Sequence, residues 1–412
     1  MSNSKGAKPN RKDHDILRGN FGNYNDHPIS LGRFLETSVD MNLLLIVLFL
    51  IGFGLLMVYS ASSYVAMRDW GSSAYFFKKQ VTSDLLGLIA MVLATFIPLK
   101  KLEGFRFWFL GIAIAVIFLV YPFGIESHGA RRWIQVPVIG GSLQPAEVTK
   151  LFMILYLAAM INTMGNSVIT SWLGFAICVG SSAFVSALIY GITDNLSSAL
   201  IVFLISYVMC FVASADYKKY ILLALCGLGV AGAVVAYVAS NDSASEGSFR
   251  LTRVSAWIHP ENSTETSAHQ MLQGLYAIGN GGWFGKGLGQ SAQKISVLPE
   301  PHNDMIFAVI CEELGIVGAI ALMIMFALMI YRMFLIAKNT RDRFSFLIVC
   351  GVMAHFAIQI ILNIAVVTGS IPNTGVSLPF ISYGGSSALF LLTEVGLVLN
   401  VDRKNRAERG NS

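Results

Sequence analysis

Residues Met41–Ser60 read MNLLLIVLFLIGFGLLMVYS, an unbroken apolar run without one charged side chain. A helix of about 20 apolar residues spans the ~30 Å hydrocarbon core of a bilayer, and a run of this kind decides the fold class. Nine further runs follow: Leu85–Leu99, Phe107–Tyr121, Ala146–Ile161, Trp172–Tyr190, Leu196–Ala213, Ile221–Ala239, Met305–Ala337, Phe344–Val367 and Ala388–Val401. The chain is therefore expected to be an all-α integral membrane protein of about ten transmembrane helices. Composition agrees: the 412 residues are 55% hydrophobic and 13% charged, with mean hydropathy +0.63. An average soluble domain has about 25% charged residues, so a soluble enzyme is excluded.

Lysine and arginine give the orientation, because basic segments resist translocation and collect on the cytoplasmic side. With the N-terminus inside, that side holds Lys5, Lys8, Arg11, Lys12, Arg18, Arg33, Lys100, Lys101, Arg106, Lys218 and Lys219. It also holds Arg332, Lys338, Arg341, Arg343, Arg403, Lys404, Arg406 and Arg409, which completes a clear majority of the 29 basic residues. Both termini are expected in the cytoplasm. The net charge of +5 reports this topology and gives no support to nucleic-acid binding. Residues 1–40 are polar and start without an apolar h-region, so they read as a disordered cytoplasmic tail with no cleaved signal peptide. A membrane domain over 41–402 and a short cytoplasmic tail over 403–412 complete the expected organisation. The five cysteines fall inside the spans, with no disulfide or metal-ligand spacing.

Three outer segments are long enough to carry chemistry. Pro122–Pro145 contains GARRWI at Gly129–Ile134 and leads into Glu147 and Lys150. Residues 240–303, between the seventh and eighth helices, form the largest loop. Thr368–Ser387 is rich in Pro, Gly and Ser, as expected of a re-entrant element lining a protein-enclosed cavity. Asp304 opens the eighth span beside Glu300 and His302. It reads either as a first-turn acid stabilised by the helix dipole or as a general base tuned by burial and its neighbours. Glu147 and Lys150, three apart on one helix face, read as an ion pair facing a polar interior or as a structural pair near the interface. Glu312 and Glu313 are adjacent, so at least one should reach a polar interior. Arg250 and Arg253, with Lys286 and Lys294 following in the same loop, suit a pyrophosphate, although that loop carries five acids, Asp242, Glu246, Glu261, Glu265 and Glu300, against these four bases. The glycine tract Ile278–Gln290 fails the phosphate-loop pattern, since Asn280 holds the first glycine position and Gly287 the final hydroxyl position. It reads as a flexible or close-packed loop.

Several of these stretches together resemble the shape, elongation, division and sporulation family of membrane glycosyltransferases, which contains FtsW and RodA. They are GLLMVYSASS (Gly54–Ser63), GARRWI, QPAEVTK (Gln144–Lys150), AIGNGGWFGKGLGQ (Ala277–Gln290), LPEPHNDMIFAVICEELG (Leu298–Gly315) and LPFISYGGSS (Leu378–Ser387). His302-Asn303-Asp304 is more like the division branch. Two stretches depart: Asp194-Asn195-Leu196-Ser197-Ser198-Ala199 stands where Pro-Asp-Leu-Gly-Thr-Ala is common, and Ala268-His269-Gln270 where Gly-Tyr-Gln is common. The resemblance implies polymerisation of lipid II, the undecaprenyl-pyrophosphate-linked disaccharide pentapeptide, on the outer face of the cell membrane, at the division septum. It puts the catalytic acid at Asp304. Trp133, Glu147, Lys150, Arg250, Arg253, Gln273, Lys286 and His302 are the substrate-binding candidates. No organic cofactor is implied; a divalent cation, Mg or Mn, is an option. The implied partners are a class B penicillin-binding protein, which is a transpeptidase, and other divisome membrane proteins. A lipid II flippase and a non-catalytic divisome scaffold stay open as alternatives.

Overall fold

The computed structural model describes residues 39–127, 130–136, 141–240, 249–260, 266–296 and 298–410. Thirteen helices are used below: α1 Met41–Trp70, α2 Tyr75–Ala94, α3 Leu99–Phe123, α4 Pro145–Thr170, α5 Trp172–Thr193, α6 Leu196–Ala213 and α7 Lys218–Ser240. Then come α8 Phe249–Ile258, α9 Thr266–Gly281, α10 Gln293–Ser296, α11 Ile306–Lys338, α12 Arg343–Val367 and α13 Gly385–Gly410. Among the described helices nine, α1, α3 to α7 and α11 to α13, are long and apolar enough to cross a membrane. The tenth expected span is α2. It starts ten residues before the apolar run that announced it, because Lys78, Lys79 and Asp84 interrupt the pattern in its first half. The stretch expected as a C-terminal tail continues α13 as helix to Gly410.

Side chains facing outward are as apolar as those inside, as the bilayer requires. Leu45 and Phe49 on α1, Trp108 on α3, and Leu225, Leu228 and Val230 on α7 are all exposed. Helices α4, α12 and α13 form the buried centre, whereas α7 buries only Tyr220 and Val238.

The connections expected on the outer side are more structured than composition indicates. Residues of the 122–145 segment form a three-stranded antiparallel sheet of β1 Gly124–Ser127, β2 Ala130–Val136 and β3 Gly141–Leu143. Trp133 pairs with Ile125 and Ile134 with Leu143. The large loop contains α8, α9 and α10. After α12 the chain dips back into the bundle, so that the carbonyls of Val376 and Ser377 lie beside Asn363 and Gln359, one to two turns inside the end of α12. This is the re-entrant element expected at Thr368–Ser387.

Helix α11 is two half-helices joined at Gly315, whose φ of 69° and ψ of −171° belong to a region open essentially to glycine alone. The glycine tract repairs the break. Gly282 and Trp283 carbonyls accept from the amides of Ile316 (2.9 Å) and Val317 (3.1 Å). The amides of Lys286 and Gly287 donate to the carbonyls of Glu312 and Glu313, both at 2.9 Å. A Cβ on Gly285 would lie 2.2 Å from the Glu313 carbonyl oxygen, so the tract's glycines serve close backbone approach. Non-helical backbone inside an apolar helix is tolerated here because these four freed polar groups are bonded within the protein.

Candidate active site

The break in α11 lets two consecutive carboxylates be buried at once. Glu312 accepts from Ser291 Oγ (2.5 Å), Lys286 Nζ (3.2 Å) and the Ala292 amide (3.3 Å). Glu313 accepts from Ser60 Oγ (2.8 Å) and from Lys294 Nζ at 2.6 Å. Both acids are wholly inaccessible. Each has its own lysine and serine because the glycine tract wraps one side of α11 while α1 packs on the other.

Asp304 is arranged differently. It stands just before the first turn of α11, 9% exposed, and among the described residues no cation is within ion-pair distance of it. Gln270 Nε2 donates to Asp304 Oδ1 (3.2 Å) and to the Pro299 carbonyl (3.3 Å). Gln270 Oε1 in turn accepts from Asn373 Nδ2 (2.7 Å), and Arg253 Nη1 donates to the Asn373 carbonyl (3.3 Å). From below, Asn363 Nδ2 donates to the main-chain carbonyl of Asp304 (2.8 Å). The carboxylate is thus held by α9, α12 and the re-entrant segment while its charge is only partly compensated. Burial, reinforced by Glu300 and opposed by Arg253 and Gln270, raises its pKa to about 6. A group so tuned is ionised at neutral pH yet is a stronger base than an ordinary aspartate.

His302 is 4% exposed and wedged between Phe76, with ring centroids 4.3 Å apart, and Tyr383, at 5.6 Å. Burial lowers its pKa to about 4, so the imidazole is neutral and serves as a shaped wall of the site. Its carbonyl accepts from the Tyr383 amide (2.8 Å), which ties the Asp304 loop to the re-entrant segment.

Asp304 opens into a cleft of about 1350 Å³ at the end of the bundle opposite Asp40 and Arg406. Its far wall holds the Glu147–Lys150 pair, 2.7 Å apart and buried, with Lys150 also 3.5 Å from Gln359 Oε1. Trp133 and Arg132 on β2 border it as well. Arg132 is aimed by the carbonyls at the α5–α6 turn, with Nη2 3.0 Å from that of Asp194 and Nε 3.3 Å from that of Thr193. That turn is one of the two departing stretches; Asn195 caps α6 there, and Ser197 bonds the Thr374 carbonyl.

Of the residues singled out from sequence, Asp304, His302, Arg253, Glu147, Lys150 and Trp133 line this one cleft. Lys286 does not: it lies 37% exposed against Glu312, and the cleft's lysine from that loop is Lys294. Gln273 sits one turn beyond Gln270 on α9 and is likewise absent from the wall. Arg250 is in the first turn of α8, its side chain outside the described residues. Sequence reasoning missed Gln359, Asn363 and Asn373, which hold Lys150, the Asp304 main chain and Gln270. Two of them had a signal, since amide side chains four apart inside an apolar span must face a polar interior. Among the described residues no group of three or more His, Cys, Asp or Glu side chains could hold a metal.

Comparison with known proteins agrees along nearly the full length. The profile of the family described as "Cell cycle protein" (FtsW, RodA, SpoVE) matches residues 41–407. Stage V sporulation protein E of Bacillus subtilis is 36% identical over 377 residues, covering 90% of this chain and 99% of that protein. A protein of Trichlorobacter lovleyi named "Probable peptidoglycan glycosyltransferase FtsW" is 36% identical over 374 residues, 89% of this chain and 94% of its own. Among solved structures, a chain from work on the structural coordination of polymerization and crosslinking by a peptidoglycan synthase complex superposes with TM-score 0.72 at 25% identity. That match covers 89% of this chain and 98% of the other. The rod shape determining protein RodA of Thermus thermophilus gives TM-score 0.65 at 25% identity with the same coverage. With profile, relatives and fold aligned over the whole membrane domain, this chain belongs to the FtsW/RodA/SpoVE family.

Proposed function

We propose that this protein is a peptidoglycan glycosyltransferase of the cell membrane that polymerises lipid II into glycan strands on the outer face, at the division septum. The observation that carries the reading is Asp304: a buried carboxylate that forms no ion pair among the described residues, held by amides, at the mouth of a cleft large enough for a disaccharide head group. Relatives that carry this activity in their names support the substrate class. The excess of basic residues at the end away from the cleft supports termini in the cytoplasm.

In the proposed reaction Asp304 Oδ accepts the proton of the acceptor GlcNAc 4-hydroxyl. The freed oxygen attacks the anomeric carbon of the donor MurNAc from the face opposite its pyrophosphate. The new C–O bond forms as the bond to the leaving oxygen breaks, with inversion, and the electron pair departs on the lipid pyrophosphate. Arg253 and Lys150 face the cleft and supply charge for that leaving group; Arg132 and Lys294 border it as well. Among the described residues no His, Cys, Asp or Glu cluster is arranged to cage a metal, so Mg or Mn would enter on the pyrophosphate itself, a common mode for Mg. Trp133 and His302 shape the sugar-binding walls.

The partner we assign is a class B penicillin-binding protein, a transpeptidase that crosslinks the nascent strand, alongside other divisome membrane proteins. The solved complex that couples polymerization to crosslinking supports it. The test is elongation of labelled lipid II by purified protein in detergent with a catalytically inert transpeptidase. Polymer is expected; a flippase or a scaffold would yield none.

A further inference from the structure

One buried ionisable pair has no part in the chemistry above. His355 on α12 and Glu394 on α13 lie inside the bundle, 1% and 0% exposed, with Nδ1 2.8 Å from Oε2. Such a pair is expensive to bury and gives little net stability over apolar residues of the same volume. What it does supply is register: a directed bond between two helices permits one axial height, while apolar surfaces tolerate sliding.

The register matters because of what else α12 carries on that face. His355, Gln359 and Asn363 recur every four residues and so form one polar row along the helix. At the top of the row, Asn363 Nδ2 donates to the carbonyls of Asp304 (2.8 Å) and Val376 (2.7 Å). In the middle, Gln359 Nε2 donates to the Ser377 carbonyl (3.0 Å), and its Oε1 faces Lys150 Nζ (3.5 Å). At the bottom, His355 grips α13. The two upper residues hold the Asp304 main chain and consecutive carbonyls of the re-entrant segment, which runs directly into α13.

We propose that His355 and Glu394 are a positioning pair for the active site. By fixing the height of α12 against α13 they fix the height at which Asn363 and Gln359 present Asp304 and the re-entrant wall. The proposal rests on the reading of Asp304 as the base, so its test includes a readout independent of catalysis.

The decisive variant is the double replacement His355→Leu/Glu394→Leu in the full chain. It leaves no uncompensated polar atom, and apolar replacement of both partners is the change least damaging to folding. Loss of the pair is expected to lower kcat between about ten- and a hundredfold, with KM for labelled lipid II within about twofold, because misplacement of a reacting group by about 1 Å has that effect. Hydrogen exchange at the amides of 376–382 is expected to speed up, with the melting temperature unchanged. The swap His355→Glu/Glu394→His restores the directed bond and is expected to recover most of kcat and of the protection. A folded double-Leu variant with wild-type kcat and wild-type exchange would overturn the proposal. Should wild-type protein make no polymer, the base assignment fails by itself and the exchange comparison still decides the role of the pair.

Discussion

Helix α11 and the turn before it carry three acids within ten residues, and they fall into two regimes. Glu312 and Glu313 are each matched with a lysine and a serine and sealed from solvent. Asp304 is buried nearly as deeply, but among the described residues its carboxylate is matched with the Gln270 amide and with no lysine or arginine ion pair. The first regime neutralises charge and joins the broken helix to its surroundings. The second leaves charge poorly compensated beside open space, which is the condition for proton transfer. Burial alone therefore does not separate a structural acid from a reactive one; the partner does.

Replacing each acid's environment in turn should break this contrast in opposite directions. Asp304→Asn is expected to cut glycan synthesis by at least about a thousandfold, the upper range of a general base, in a protein that still inserts and folds. Substantial polymer from purified Asp304→Asn protein would refute its role. The sign for stability is the reverse. Because the folded-state pKa lies above the ordinary 3.8, ionisation disfavours the fold at every pH above about 6, and the penalty vanishes below 3.8. The Asn variant should therefore gain on the order of 2–3 kcal/mol at pH 7, read as a raised melting temperature.

Lys294→Ala should do the opposite by leaving Glu313 buried and unpaired. A loss of about 3–5 kcal/mol is expected, seen as poor yield and a lowered melting temperature. Gly315→Ala should cost about 3 kcal/mol: φ 69° with ψ −171° excludes a side chain, and a Cβ there would lie 2.4 Å from the Gly285 amide nitrogen. The smallest change sharpens the comparison most. Synthesis by the wild-type protein should fall on acidification through about pH 6. Since the Gln270 bond lowers the Asp304 pKa, Gln270→Ala should move that midpoint upward, with about a tenfold loss of rate at neutral pH. An unmoved midpoint would detach the acid limb from this carboxylate.

What the sequence discloses follows the range of the interactions concerned. Uninterrupted apolar runs such as Met41–Ser60 announce themselves, and α2 hides in part because Lys78, Lys79 and Asp84 sit among its apolar residues. Asp304 and the Glu147–Lys150 pair are legible because charge next to or inside a span is costly. Lys286 and Lys294 look alike in the sequence; only the path of the glycine tract directs one to Glu312 and the other to Glu313 and the cleft. The link from Arg253 through Asn373 and Gln270 to Asp304 joins four distant segments, and no local pattern marks it.

The repair of α11 carries an implication for biosynthesis. The four main-chain groups freed at Gly315 would each cost several kcal/mol if left bare in hydrocarbon. The strip that satisfies them, 282–287, precedes α11 in the chain, so the ribosome makes the patch before it makes the gap. A nascent α11 thus meets a complement that has already been made, and moving that strip downstream of the helix by circular permutation would leave the gap waiting for its patch.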